Sequence, residues 1–353
     1  MSRHLSILLL LLACLACSKG TLPRRDDAVV IVTTNIAQQG VATKYPVMGT
    51  SFGNNQDYGI FVCQHGSTSE AHKSNSKNLK AKYNSDTPAW EYYYVSDLSN
   101  GSISSTIYDN LTLSSRADDA TADLYAYAPY NQSVYSSGLS AIPYKISEQK
   151  DLMYAQENLT NANSNLDPES VSPLSATFTF KHAFALLEFR IRILNQTPGA
   201  DYYATTDPNL NRITLTVNPE IVSNTARLYT EGTLNALTGT ITGVTEESSI
   251  SFSGDVLSST HYTMLSTSAR SFYLMLVPFE IEEDNQLFFT FRVGGQDLQP
   301  YYLQKNDVKH DDDTYGFQVG YKYIFNFSID NYVRFDGFEI GVWEADILGN
   351  KHI

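Results

Sequence analysis

Cysteine is almost absent: there are three in 353 residues, and two of them, Cys14 and Cys17, fall within the first seventeen. Only Cys63 remains beyond that point, so no disulfide can form within the fold in an oxidising compartment. Cys63 sits in the apolar run Tyr58-Gly59-Ile60-Phe61-Val62-Cys63, where a buried structural thiol is expected. After the first seventeen residues no stretch reaches the ~20 apolar residues of a membrane-spanning helix. Basic residues are outnumbered, 24 Lys and Arg against 38 Asp and Glu, and the net charge is −14. That balance argues against a nucleic-acid partner and against general attraction to anionic lipid. Gly (20) and Pro (12) are too few for a collagen or a flexible linker. No sustained 3.6-residue period runs along the chain, which disfavours a helical architecture.

What the chain does have is a folded composition of 42% hydrophobic and 18% charged residues, enough for about two domains. Tyr (24) and Phe (17) are prominent beside Val, Ile and Thr, residues that suit pleated, half-buried surfaces. Short strands are expected at Val29 to Val32, Tyr58 to Cys63, Trp90 to Val95 and Leu124 to Ala128, the last ended by Pro129. Polar residues from His65 to Tyr83 read as a long surface loop. Between Thr177 and Ile193 the alternation changes parity, which places a bulge or break near His182 to Leu186. Further strands follow at Ile213 to Val217, Phe272 to Val277, Phe289 to Val293, Tyr321 to Ile329 and Phe338 to Val342. This is the pattern of β-sandwiches. The Asn-rich stretch Asn158 to Pro173 is the expected boundary, giving sandwiches over residues 17–172 and 173–353 after a signal peptide over 1–16.

That signal peptide has a short polar start, Arg3-His4, and a run from Leu5 to Leu12 that is apolar except for Ser6. Small residues and cysteine follow. Ending on cysteine resembles a bacterial lipobox, in which the cysteine is lipidated and becomes the new N-terminus. Cys17 is favoured, because the polar Ser18-Lys19-Gly20 follows it; Cys14, with Leu11-Leu12-Ala13 before it, is the alternative. An anchor of several acyl chains holds a protein at a membrane where a single chain is marginal.

Candidate chemistry is sparse. Gly49-Thr50-Ser51-Phe52-Gly53 matches the nucleophile elbow in letters but is flanked by turn residues instead of a strand and a helix. His310-Asp311-Asp312-Asp313 lacks the spacing of a calcium loop and reads as a solvated hairpin tip. His182 lies between apolar strands as a structural histidine, and the remaining histidines have no metal-ligand spacing. No catalytic residue, metal site or cofactor is expected, and the chain does not read as an enzyme. Tyr92-Tyr93-Tyr94, Tyr202-Tyr203 and Tyr301-Tyr302 could stack sugars, although alternate tyrosines in a sandwich are ordinarily half core and half edge.

Several segments, in order, resemble the fimbrillin-like family of lipoprotein pilins of Gram-negative anaerobes. They are Val29 to Val32, Thr43-Lys44, Thr50-Ser51-Phe52-Gly53 with Tyr58 to Val62, Ala89-Trp90-Glu91-Tyr92, Leu124 to Tyr130, Asp151-Leu152-Met153-Tyr154-Ala155, and Phe178 to His182 with Leu187 to Ile193. The resemblance implies an all-β fold of two transthyretin-like β-sandwich domains in tandem. It also implies a structural or accessory role in surface fimbriae, with export as an outer-membrane lipoprotein and other fimbrial subunits as partners. In such pilins a protease cuts after the first strand and a neighbour's terminal strand replaces it. Here the matching cut follows Lys44, where the family usually has Arg. The removable strand is Val29, Val30, Ile31 and Val32, and the donor is the segment Phe338 to Ile347 with Phe338, Ile340 and Val342. The alternative function is a permanently anchored surface lipoprotein that binds a glycan or host ligand through its tyrosines.

Overall fold

Alternating side chains decide which face of each strand is covered, and in this chain the alternation produces sheets almost throughout. The computed structural model describes residues 28–36, 56–71, 73–84, 86–87, 89–113, 122–159, 174–194, 209–221, 223–253, 265–329 and 333–343. The first half supplies β1 (Ala28–Ile36), β2 (Asp57–Gln64), β3 (Leu79–Asn84), β4 (Ala89–Tyr93) and β5 (Leu111–Leu113). It continues with β6 (Ala122–Ala128), β7 (Ile142–Lys145), β8 (Met153–Leu159) and β9 (Leu174–His182). The second half supplies β10 (Ala185–Ile193), β11 (Leu210–Val217), β12 (Leu228–Asn235), β13 (Thr240–Glu247) and β14 (Ser249–Ser253). The last four are β15 (Arg270–Leu276), β16 (Leu287–Val293), β17 (Tyr321–Ile329) and β18 (Val333–Val342). Very short strands and turns join them.

An eight-stranded sheet runs in the order β4-β3-β2-β6-β8-β9-β1-β5. It curls over itself, so that Tyr58 of β2 meets Phe180 of β9 edge to face with ring centroids 5.4 Å apart. Val30, Ile60, Leu124, Ala126 and Phe178 close the same core. A four-stranded sheet, β15-β10-β17-β18, faces a second made of β14, β11 and β16. Between these lies an aromatic core in which Phe189 meets Phe289 at 5.2 Å and Phe291 meets Phe327 at 4.9 Å. In β16 the inward side chains are Leu287, Phe289, Phe291 and Val293, and their neighbours point outward. Removing one such buried phenylalanine costs roughly 3–5 kcal/mol.

The parity change expected near His182 is a crossing between sheets. β9 pairs with β1 and β8 in the first sheet, whereas β10 pairs with β15 and β17 in the next. Ala183 and Phe184, both buried, join them. Even-numbered residues face the first core up to His182, and odd-numbered residues face the second core from Ala185. A third small sheet, β13-β12-β7, ties the halves together, because β7 comes from the first half and pairs with β12 of the second.

The expected loop from His65 to Tyr83 is partly a strand. Leu79 and Ala81 of β3 point into the core while Lys80 and Lys82 point outward, so two modest apolar residues are all that the alternation displays. Before that strand, Asn78 is buried with φ +56°, accepts a hydrogen bond from the Tyr127 hydroxyl at 2.6 Å and donates to the Asn131 carbonyl at 3.1 Å. From Ser76 onward the segment is bonded into the fold, whereas His65 to Glu70 are largely exposed turn residues, as expected of a loop.

Candidate functional site

The N-terminal strand β1 is held on both flanks. It runs parallel to β9 from Val30↔Leu174 to Ile36↔Phe180, and antiparallel to β5 at Ala28↔Leu113 through Val30↔Leu111. Val30 and Val32 are buried, as alternation requires when one face meets the core. Thr33 donates to the Ala176 carbonyl at 3.2 Å and shares a 2.9 Å bond with the Thr177 hydroxyl. If β1 left, β9 would lose its hydrogen-bonding partner from Leu174 to Phe180, and two apolar pockets would open.

At the other end of the chain, β18 lies antiparallel to β17 from Tyr321↔Val342 to Ile329↔Val333, with an irregularity at Asn326 and Phe327. It forms the margin of its sheet. Phe338 is 38% exposed, and Ile340 is partly buried against the core. Directly after β18, Trp343 is only 1% exposed, and its amide donates to the Gly320 carbonyl at 2.6 Å. Its indole stacks on His182, with centroids 3.8 Å apart and planes 6° from parallel. Nδ1 of His182 faces both oxygens of Asp151, at 2.9 and 3.1 Å. All three side chains are buried. Gln149 adds a second tie: its side-chain carbonyl accepts from the Met275 amide at 2.7 Å, and its NH2 donates to the Met275 carbonyl at 3.2 Å. That side chain bonds the margin of β15 as a neighbouring strand would.

Asp151 and His182 belong to two separate sequence signatures, and folding brings them together. Trp343 and Gln149 could not be read as functional from local pattern, since each acts on residues more than a hundred positions away. Cys17, Cys14 and Lys44 lie outside the described residues, as do Gly49 to Gly53 and Tyr202-Tyr203. Cys63 is a buried free thiol; burial, with the carboxylate of Asp123 nearby, pushes it up to about 11. Asp311 to Asp313 form an exposed turn, as expected, but His310 beside them is buried, with Nε2 2.7 Å from the Tyr323 hydroxyl. Asp307 is buried too and accepts from the Tyr301 hydroxyl at 2.5 Å. Among the described residues no group of three or more His, Cys, Asp or Glu side chains is placed to hold a metal ion. No described helix is long and apolar enough to cross a membrane. Tyr92 and Tyr94 are buried, which leaves Tyr93 and Tyr302 as the more open members of the described tyrosine runs.

The geometry defines an all-β protein of several sheets, in which β1 is paired on both sides and β18 forms the margin of its sheet. The fimbrillin-like family pattern matches residues 43–343, and the chain belongs to that family. Its fold is similar to that of a proposed cell adhesion protein from Bacteroides uniformis ATCC 8492. That likeness has a TM-score of 0.52 and 15% identity, over 90% of this chain and 99% of the other. A second proposed cell adhesion protein, from Bacteroides ovatus ATCC 8483, has a TM-score of 0.50 and 16% identity, over 90% and 99% of the two chains. The tip fimbrial protein Mfa3 from Porphyromonas gingivalis matches with a TM-score of 0.44 and 9% identity, over 90% and 100%. No curated protein matches the sequence.

Proposed function

We propose that this chain is a structural or accessory subunit of surface fimbriae, exported as an outer-membrane lipoprotein and assembled by strand exchange. In this reading Cys17, or Cys14 as the alternative, carries the lipid, and a protease cuts after Lys44. The cut frees β1, and a neighbouring subunit supplies a strand in its place. The chain acts as a building part and not as an enzyme. Its partners are other fimbrial subunits and, through the lipid, the outer membrane. The tandem-sandwich division, over residues 17–172 and 173–353, belongs to the same reading.

The observation that carries the proposal is the setting of β1. It is N-terminal, precedes Lys44 in the chain, and lies between β5 and β9 with Val30 and Val32 buried. Burial of each such side chain contributes roughly 1.5–3 kcal/mol, so a vacated groove favours a replacement strand. The donor is the C-terminal segment beginning at Phe338. Because β18 is paired along its length with β17 and followed by the buried Trp343, donation from Phe338 onward requires that β18 leave its own sheet.

Trypsin treatment of the purified precursor tests the proposal. Multimers that survive unboiled denaturing electrophoresis, lost when residues 338–353 are deleted or when Lys44→Gln blocks the cut, are the expected result. Cleavage before β1, at Arg24 or Arg25, leaves that strand in place and should not yield multimers. A product cut after Lys44 that stays monomeric contradicts strand exchange.

A further inference from the structure

Strand β18 offers an open row of backbone donors and acceptors: β17 pairs with one side of it, and among the described residues no strand pairs with the other. Sheet margins are usually kept from joining other chains by shortness, proline or lysine. β18 has none of these; it runs Val333-Arg334-Phe335-Asp336-Gly337-Phe338-Glu339-Ile340-Gly341-Val342. Phe338 lies on the side that faces the core, since its partner in the register is the fully buried Phe325, yet it is 38% exposed. A second strand laid along the margin would cover it.

The irregularity in β18 decides which strand fits. Asn326 pairs with Gly337 and Phe327 with Phe335, so Asp336 is an extra residue in the ladder. Val333 and Phe335 before it and Phe338 and Ile340 after it therefore share the core side, while Arg334 and Glu339 share the other side. About the point between Asp336 and Gly337 the strand is self-complementary. Laid antiparallel to a second copy of itself, Val333 meets Ile340, Arg334 meets Glu339 and Phe335 meets Phe338, and the two-fold axis makes each pair twice. Directly opposed residues of antiparallel strands point to the same face, and all these pairs obey that rule. In a regular strand Phe335 and Phe338 would point to opposite faces, and the match would fail.

Charge agrees with the same register. Arg334 and Glu339 are exposed, and Arg190 lies 3.8 Å from the Glu339 carboxylate. Asp336, which comes close to its own copy across the axis, is paired with Arg192 at 3.2 Å. Unlike charges are thus set opposite each other, and the like charges near the axis are neutralised within each chain.

We propose that the uncut chain forms a two-fold dimer through the free margin of β18, which joins two four-stranded sheets into one continuous sheet. The partner is a second copy of this chain. β18 stays in its own sheet in this dimer, so the pairing needs neither a protease nor the departure of β1, and it is separate from strand exchange.

Sedimentation velocity of the uncut chain beginning at Ser18, over a range of concentrations, tests the dimer. The parent should show a dimer whose share rises with concentration. Arg334→Glu sets carboxylates opposite each other at both ends of the interface, and Glu339→Arg does the same with guanidiniums; each should weaken the dimer by about tenfold or more. Both side chains are exposed, so the melting temperatures should stay near that of the parent. The double variant Arg334→Glu/Glu339→Arg should restore association, and so should an equimolar mixture of the two single variants, because both re-create unlike pairs. A parent that stays monomeric at every concentration overturns the proposal. So does a dimer that neither single variant weakens, or a mixture of the single variants that fails to associate.

Discussion

Nδ1 of His182 lies 2.9 Å from one carboxylate oxygen of Asp151 and 3.1 Å from the other, although 31 residues separate them. Trp343 stacks on the same imidazole, so the end of β9, the start of β8 and the exit of β18 meet at one point. Replacing Asp151 by Ala leaves a buried imidazole without this partner and should cost roughly 1–3 kcal/mol. Asp151→Asn keeps an acceptor and should cost less. Thermal melting reads both; equal, negligible shifts would mean that the pair does not hold the junction.

Trp343 anchors the strand that the account requires to move. Trp343→Ala removes the stack on His182 and should loosen β18. After trypsin treatment, multimers should then form faster than in the parent. Slower formation would make the anchor a requirement of assembly and not a restraint on it.

The core of the second half offers a sharper contrast. Phe189→Ala should cost roughly 3–5 kcal/mol, because Phe189 is fully buried among Phe289, Phe291, Phe325 and Phe327. Arg190 points the other way but does not simply face solvent: its Nε donates to the buried Glu188 at 2.7 Å. Glu188 also accepts from Ser271 at 2.7 Å and pairs with Lys322 at 3.2 Å. Arg190→Ala should therefore cost roughly 1 kcal/mol or less, since the carboxylate keeps other partners. Equal melting shifts for the two variants would refute this register.

Cys63 should be inert in the folded protein. Its thiol is pushed up to about 11, so at pH 8 the reactive thiolate is a small fraction, and burial hides it further. In a chain beginning at Ser18, an aromatic disulfide reagent should react slowly at pH 8 and rapidly in guanidinium. Rapid reaction without denaturant would show that the β2 segment opens readily.

The proposed lipidation is tested at the two N-terminal cysteines. Cys17→Ser should abolish incorporation of labelled fatty acid and release the protein from membranes. Retained label would assign the lipid to Cys14.

Much of the fold is legible along the sequence where one face of a strand meets a core. Leu287 to Val293 alternates cleanly, and the parity change between Phe180 and Leu187 marks the crossing from one sheet to the next. Leu79 and Ala81 are too small a signal amid lysines to stand out as a strand. The β12–β13 hairpin escapes for a related reason: Thr240 to Glu247 is Thr-rich and largely exposed, so it has no apolar stripe. The partners that make the junction were not legible. Gln149 bonding Met275 and Trp343 stacking on His182 join positions more than a hundred residues apart, and no local pattern specifies them.

Immunogold electron microscopy of cells with and without this chain tests the fimbrial role most directly. The account predicts gold on surface filaments, either along their length or at a fixed end, with filaments lost, shortened or altered in number when the chain is deleted. Gold confined to the outer membrane, with filaments unchanged in the deletion strain, would contradict it.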